Sequence, residues 1–369
     1  KEANMFSEKD LQELLDYSAE NQVVSLYLNT DPTESTTEAA SLRLRNLLKT
    51  VDLPEDVQAI ENFVSLEYDW AAKGLVIFSD QEGNFFKTHK FNLSLPNKVY
   101  IGKHPTIRPL VRLLDTFTGW GVVLVDKEGA RLFSFDLGEL GEIDGVTGEE
   151  VKQQKRGGGN AMPGRMGGAD MSSKIENIIE KNIKEIINET TDFFDQHHVR
   201  RIMIGGTDDN IARFKDELPK SWQSLVVGEF AMSMSASEDE VLEQATKEAL
   251  ETQKKVNKSL VSQAVTLAAK GSSGVIGLID TLNAIHEGRV RILFVDQDFE
   301  QEGYRCNGCG YLTVQSLGTC PFCGGTFDKI DRAVEMAVRE TLQKNADVKV
   351  ITDMEILQEA GNIAAILRY

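Results

Sequence analysis

Four cysteines dominate the chemistry this chain can do. Cys306, Cys309, Cys320 and Cys323 follow the spacing Cys-x2-Cys, ten intervening residues, Cys-x2-Cys. Two thiolates separated by two residues reach one ion from a tight turn, and two such knuckles complete a closed tetrahedral site with no position for water. Gly310 and Gly324 follow the two pairs, where a positive φ turns backbone N–H groups toward the sulfurs. All the cysteines of the chain lie in this one short segment. That confinement favours one structural Zn2+ over two disulfides or four unrelated core cysteines, and a redox pair explains one knuckle only. A zinc ribbon over residues 304–328 is expected, and it is silent about function, because such ribbons serve RNA, DNA and protein partners alike.

The second stretch of unusual chemistry is rich in glycine. From Val151 to Ala169 there is no acidic residue, yet Lys152, Lys155, Arg156 and Arg165 fall within it. In a chain of net charge −18 such a segment reads as a phosphate-facing tip. Its glycines, Gly157 to Gly159 and Gly164, Gly167 and Gly168, allow close approach of the backbone to a partner. An interdomain linker has the same composition. It is not a P-loop, since no Gly-x4-Gly-Lys-Ser/Thr pattern occurs.

Other candidates carry less. His197-His198 at a helix end reads as a partner of the helix dipole rather than a metal pair. Asp296, Asp298, Glu300 and Glu302 lack a calcium-loop pattern and read as a solvated acidic turn. No Ser-His-Asp or Cys-His arrangement and no dinucleotide fingerprint is present, so independent enzymatic chemistry is not expected.

The elements that must position these residues are legible from periodicity. Ser7-Glu8-Lys9-Asp10 is a capping-box start to a short helix. Val23 to Leu28 and Gly74 to Phe78 are apolar strands, and Phe85 to Phe91 pairs beside the second. Gly121 to Val125 and Arg131 to Phe135 form a hairpin. A long helix starting at Ser172 or Ser173 repeats Ile175, Ile179, Ile183, Ile186 and Phe194 at three-and-four spacing, and another runs from Glu238 to Ala269. Helices and strands alternate, which gives an α/β class. At 369 residues the chain exceeds the roughly 250–300 over which one core grows. Three domains are expected: 1–148, 149–273 with the glycine-rich loop, and 274–369 with the ribbon inserted. No apolar run approaches the ~18–20 residues of a membrane span. Lys1-Glu2-Ala3-Asn4 lacks the apolar stretch of a signal peptide, so a cytoplasmic protein is expected.

Arg156-Gly157-Gly158-Gly159-Asn160, followed by a basic residue and a long amphipathic helix, resembles the Arg-Gly-Gly-Gln loop of archaeal and eukaryotic class-1 peptide release factors. Val24 to Leu28, Ile204 to Thr207, Phe214 to Leu218, Gly274 to Leu282 and the ending Ala360 to Tyr369 resemble segments of that family in the same order. Two departures mark the chain. Asn160 stands where the family has glutamine. The stop-codon-reading Asn-Ile-Lys-Ser element has no counterpart, and Thr37 to Arg45 lie there instead. The chain therefore resembles Pelota and the divergent bacterial members of the superfamily.

The resemblance implies a three-domain, tRNA-mimicking architecture that binds the ribosomal A site. It implies a tip of Gly158, Gly159 and Asn160 in the peptidyl transferase centre, with Lys155, Arg156 and Arg165 on rRNA or tRNA phosphates. Release of peptidyl-tRNA without a stop codon is the leading function it implies. A non-hydrolytic or hibernation factor and a zinc-containing RNA-processing module are the alternatives. A translational GTPase is the partner implied for the third domain.

Overall fold

The computed structural model describes residues 6–148 and 168–369 of the chain. They divide into two compact units, one formed by Lys1–Thr116 with Gln253–Tyr369 and the other by Phe117–Thr252.

The first unit holds three sheets. Its N-terminal sheet is antiparallel, in the order Phe85–Phe91, Gly74–Asp80, Val23–Asn29, Lys98–Gly102. The strand Val23–Asn29 is central and buried on both faces, which is why it reads as an apolar run broken only by Ser25 as far as Leu28. Helices Thr37–Leu48 and Pro54–Leu66 cover one face, packing Leu44, Leu48, Ile60 and Val64 on Val24, Leu26, Leu75 and Ile77. Each such side chain contributes about 1.5–3 kcal/mol on burial. The capping box at the first helix is present: Ser7 Oγ accepts the Asp10 N–H, and the Asp10 carboxylate accepts the Ser7 N–H.

The C-terminal sheet has the order Gly274–Ile276, Ile363–Leu367, Val290–Asp296, Asp347–Ile351. Val290–Asp296 runs parallel to Asp347–Ile351, and helix Ala333–Gln343 lies in the crossover between them. Val275 belongs to the strand Gly274–Ile276. Gly277, at φ 78°, turns the chain into a helix that begins only at Leu278. Val261 and Ala264, on the second half of the helix Glu238–Ala269, pack against Phe294, Ile351, Leu357 and Ile366. The expected start of this part at 274 therefore moves back to Gln253. The third sheet is the ribbon: Leu312–Thr313, Gly303–Cys306, Phe327–Ile330.

The second unit is a five-stranded sheet in the order Glu139–Thr147, Gly129–Asp136, Trp120–Val125, Arg201–Gly206, Val226–Ala231. Its first three strands form an antiparallel meander and its last three run parallel. The boundary expected at 148 thus lies near 117, because Trp120–Val125 pairs with Arg201–Gly206 and carries the hairpin into this sheet. Helix Gly168–Gln196 covers one face with Ile179, Ile183, Ile186, Ile187 and Phe194 against Val123, Leu132, Ile202 and Ile204. Gly121 is required for that seat, since a Cβ there would stand 2.5 Å from the Phe194 ring.

Candidate metal centre

The ribbon brings the four cysteines together. Cys306 ends the strand Gly303–Cys306, and its carbonyl accepts the Gly310 N–H at 3.0 Å, closing the first knuckle. The Gly324 N–H donates to the Cys320 carbonyl at 2.8 Å and closes the second. Gly310 and Gly324 take φ of 78° and 72°, the conformation expected from the sequence. The four sulfurs lie within 4.8 Å of one another, with Cys306 to Cys323 at 3.4 Å and Cys309 to Cys320 at 3.6 Å. Those separations exceed the ~2.05 Å of a disulfide. Four metal–sulfur bonds of about 2.3 Å in tetrahedral array place sulfurs about 3.8 Å apart, so the donor set fits one metal ion.

The surroundings favour a thiolate at Cys306, while burial pushes the Cys309 thiol up to about 12. The Cys309 N–H aimed at the Cys306 sulfur pulls that thiol down to about 6, aided by the Gly308 N–H at 3.4 Å. Gly308 and Gly325 stand against the cluster: a Cβ would lie 3.0 Å from the Cys323 sulfur and 3.1 Å from the Cys306 sulfur respectively. Sequence reasoning had given a role to the glycines after the pairs and missed these two, which are needed for space rather than for φ. Tyr311 anchors the ribbon, donating from its hydroxyl to Asn283 at 2.6 Å on the helix Leu278–His286. Its ring meets His286 and Phe322 at 5.1 and 4.7 Å.

The glycine-rich segment, with Lys155, Arg156, Gly158, Gly159, Asn160 and Arg165, lies outside the described residues. The elements on either side are Glu139–Thr147 and Gly168–Gln196. Where the first ends, the Gly148 N–H donates to the Glu128 carbonyl at 2.6 Å. The buried Asn182 side chain donates to the Lys127 carbonyl at 3.1 Å, and a Cβ on Gly148 would strike it at 2.5 Å. His198, with φ 52°, turns the chain out of the helix Gly168–Gln196, and His197 lies 4.4 Å from the Phe193 ring. Among the described residues the cysteines form the one metal-ligating cluster.

Sequence reasoning also missed a buried charge cluster in the first unit. Arg108 and Glu335 are 2% and 3% exposed and meet at 2.9 Å, and the second Glu335 oxygen accepts the Ile107 N–H at 2.7 Å. Glu300 adds a carboxylate 2.5 Å from Arg108, and its other oxygen caps the helix Ala333–Gln343 by accepting the Val334 N–H. Burial works against the Arg108 charge, but Glu335 and Glu300 outweigh it and hold the guanidinium above its ordinary pKa. Arg339, equally buried, donates to the carbonyls of Leu14, Leu15 and Tyr17 where the first helix ends, and to that of Pro105. The run from Asp296 to Glu302 is thus not merely a solvated turn, because Glu300 is drawn into this cluster. The N-terminal and C-terminal parts of the first unit are stitched together by it.

Comparison with known proteins adds the relatives. Residues 105–250 match the family described as Bacterial archaeo-eukaryotic release factor family 10. No curated protein matches the chain. Among solved structures, the archaeal translation termination factor aRF1 is similar at 16% identity and TM-score 0.26, covering 100% of both chains. Archaeoglobus fulgidus Pelota is similar at 13% identity and TM-score 0.36, with 99% of this chain and 93% of that one covered. An archaeal Pelota from a ribosome-bound assembly with ABCE1 gives 12% and 0.42, over 99% and 95%. Over residues 105–250, the chain is similar to the bacterial branch of the archaeo-eukaryotic release factors.

Proposed function

We propose that this protein is a ribosome A-site-binding translation factor that promotes release of peptidyl-tRNA without reading a stop codon. The observation that carries the reading is the extent of the family match, which spans the glycine-rich segment and the sheet and helix on either side of it. Three functional parts follow from the resemblance: an N-terminal part, a middle part bearing the loop, and a C-terminal part with a Zn2+ ribbon.

In this reading Gly158 and Gly159 let the backbone of the tip approach the tRNA end, where a Cβ would obstruct it. The main-chain N–H of Asn160 stabilises charge developing on the peptidyl ester, and its carboxamide orients the attacking water. The ribosome supplies the rest of the reaction centre, so the protein is not an independent enzyme. Lys155, Arg156 and Arg165 bind rRNA or tRNA phosphates. The four thiolates hold zinc in a purely structural role, and the C-terminal part receives a translational GTPase. The place of work is the cytoplasm. No helix among the described residues is long and apolar enough to cross a membrane.

A second reading draws on Asn160 itself. Its amide sits one methylene closer to the backbone than glutamine's would, which favours a factor that occupies the site without hydrolysis. Both readings require ribosome binding. Sedimentation with ribosomes whose A site is vacant should carry the protein into the pellet, and A-site tRNA should displace it. Binding that A-site tRNA leaves unchanged would overturn the proposal.

A further inference from the structure

The helix Glu238–Ala269 carries three lysines, Lys254, Lys255 and Lys258, in a stretch from Thr252 to Ile279 that has no aspartate or glutamate. All three are exposed. Spacing of one and four residues gathers them within about 100° of the helix surface, with about 6 Å of rise from first to last. Several lysines elsewhere in this acidic chain are tied to carboxylates, as in Lys87–Glu13, Lys90–Asp69 and Lys215–Glu229. Among the described residues none of these three makes an ion pair, although Glu251 lies one turn before Lys254 and Lys255. Asp115, which meets the same stretch, is already engaged by Gln253 at 2.8 Å and by Lys349.

The adjoining side of this part of the helix is buried and holds the helix in place. Val261 and Ala264 are fully buried, with Leu260, Val265 and Leu267 packed beside them on the C-terminal sheet. That packing also argues against a membrane. A helix lying on a lipid surface needs a free apolar face, and here that face is spent on the protein core. Three exposed ammonium groups that form no ion pair suit a phosphate backbone.

We infer that Lys254, Lys255 and Lys258 form a contact for the phosphate backbone of RNA, separate in sequence from the glycine-rich loop. This inference rests on the ribosome-binding reading and gives that reading a second electrostatic foothold. Each phosphate contact releases about 0.9 of a condensed counterion, so three steepen the dependence of log affinity on log salt by about 2.7. A rise from about 50 to about 200 mM KCl should cost the wild type about 40-fold more affinity than a variant without the lysines.

The test is a salt titration of ribosome binding by the full-length chain carrying Lys254→Ala, Lys255→Ala and Lys258→Ala together. The Lys→Arg triple serves as control, and melting of both is compared with wild type. The expected result is a shallower slope for the alanine variant at unchanged melting, with wild-type behaviour in the arginine variant. Equal slopes for wild-type and alanine proteins overturn the inference while leaving ribosome binding intact. Failure of the wild type to bind ribosomes overturns both. A parallel arm uses phosphatidylserine vesicles. Binding to them that the alanine variant loses, with ribosome binding unaltered, reassigns the stripe to lipid headgroups and overturns the RNA contact.

Discussion

Glu335→Leu removes one carboxylate from the buried charge cluster, and the structure sets the size of the effect. Two acceptors vanish: the one 2.9 Å from Arg108 Nε and the one 2.7 Å from the Ile107 N–H. Breaking a buried pair by deleting one partner costs about 3–5 kcal/mol, because the remaining charge stays desolvated. Arg108 keeps Glu300 and the Phe299 carbonyl, each at 2.5 Å, which places the electrostatic part near the lower end. The orphaned Ile107 N–H adds about 1–3 kcal/mol. A loss of about 4–6 kcal/mol in the first unit is the result expected. At about 1.4 kcal/mol per factor of ten, amides around Ile107 should exchange at least about 700-fold faster with deuterium. The strand Arg201–Gly206 in the second unit, buried from Ile202 onward, should keep its protection. Arg108→Met added to Glu335→Leu removes both charges and should restore most of the loss, since a well-packed apolar pair often matches a buried ion pair. A single variant that exchanges like wild type, or a double variant no better than the single, would refute this reasoning.

Cys309→Ser should release the bound metal and expose residues 304–328 to protease, with the second unit still folded. Metal content by elemental analysis and limited proteolysis report it, and metal-free wild-type protein would refute the site. Burial pushes the Glu340 carboxyl above its ordinary pKa despite Lys344 at 3.8 Å. The folded state therefore holds this proton more tightly than the unfolded one, and the stability it confers at low pH is lost as pH rises through the raised pKa. Glu340→Gln should be more stable than wild type at pH 7, the difference closing in acid below the ordinary glutamate range. A difference independent of pH in melting scans would count against it. Replacing Lys155, Arg156 and Arg165 together by alanine should weaken ribosome binding and flatten its salt dependence by about 2 to 3 in slope.

Much of this was legible because it is local. The Ser7 capping box, the apolar runs at Val23 and Gly74, the limits of the helix Glu238–Ala269 and the two cysteine knuckles are written in adjacent residues. Partnership across distance was not. Trp120–Val125 has the same apolar run whichever sheet it joins, and its parallel neighbour arrives only after the loop and a long helix. Lys98–Gly102 is half-buried throughout, and Gly274–Ile276 is three residues long, too little for a period to show. Nothing in the sequence marks Arg108 and Arg339 as buried, because burial of a guanidinium depends on acceptors more than 190 residues away in sequence. Charge-poor sequence was an equally partial guide. Gly83 to Leu114 is also free of acids, yet the structure pairs Lys87, Lys90, Lys98 and Arg108 from that stretch with distant carboxylates. The stretch from Thr252 to Ile279 shows no such pairing among its lysines, and only the structure separates the two.

The central claim is release of peptide by the loop, and its most direct measurement is hydrolysis of labelled peptidyl-tRNA on ribosomes stalled without a stop codon. The wild-type protein should free the peptide. Gly158→Ala with Gly159→Ala should still sediment with the ribosomes but leave the ester intact. Wild-type protein that sediments with stalled ribosomes while the peptide stays on its tRNA would contradict the account, and would leave a factor that occupies the site without chemistry.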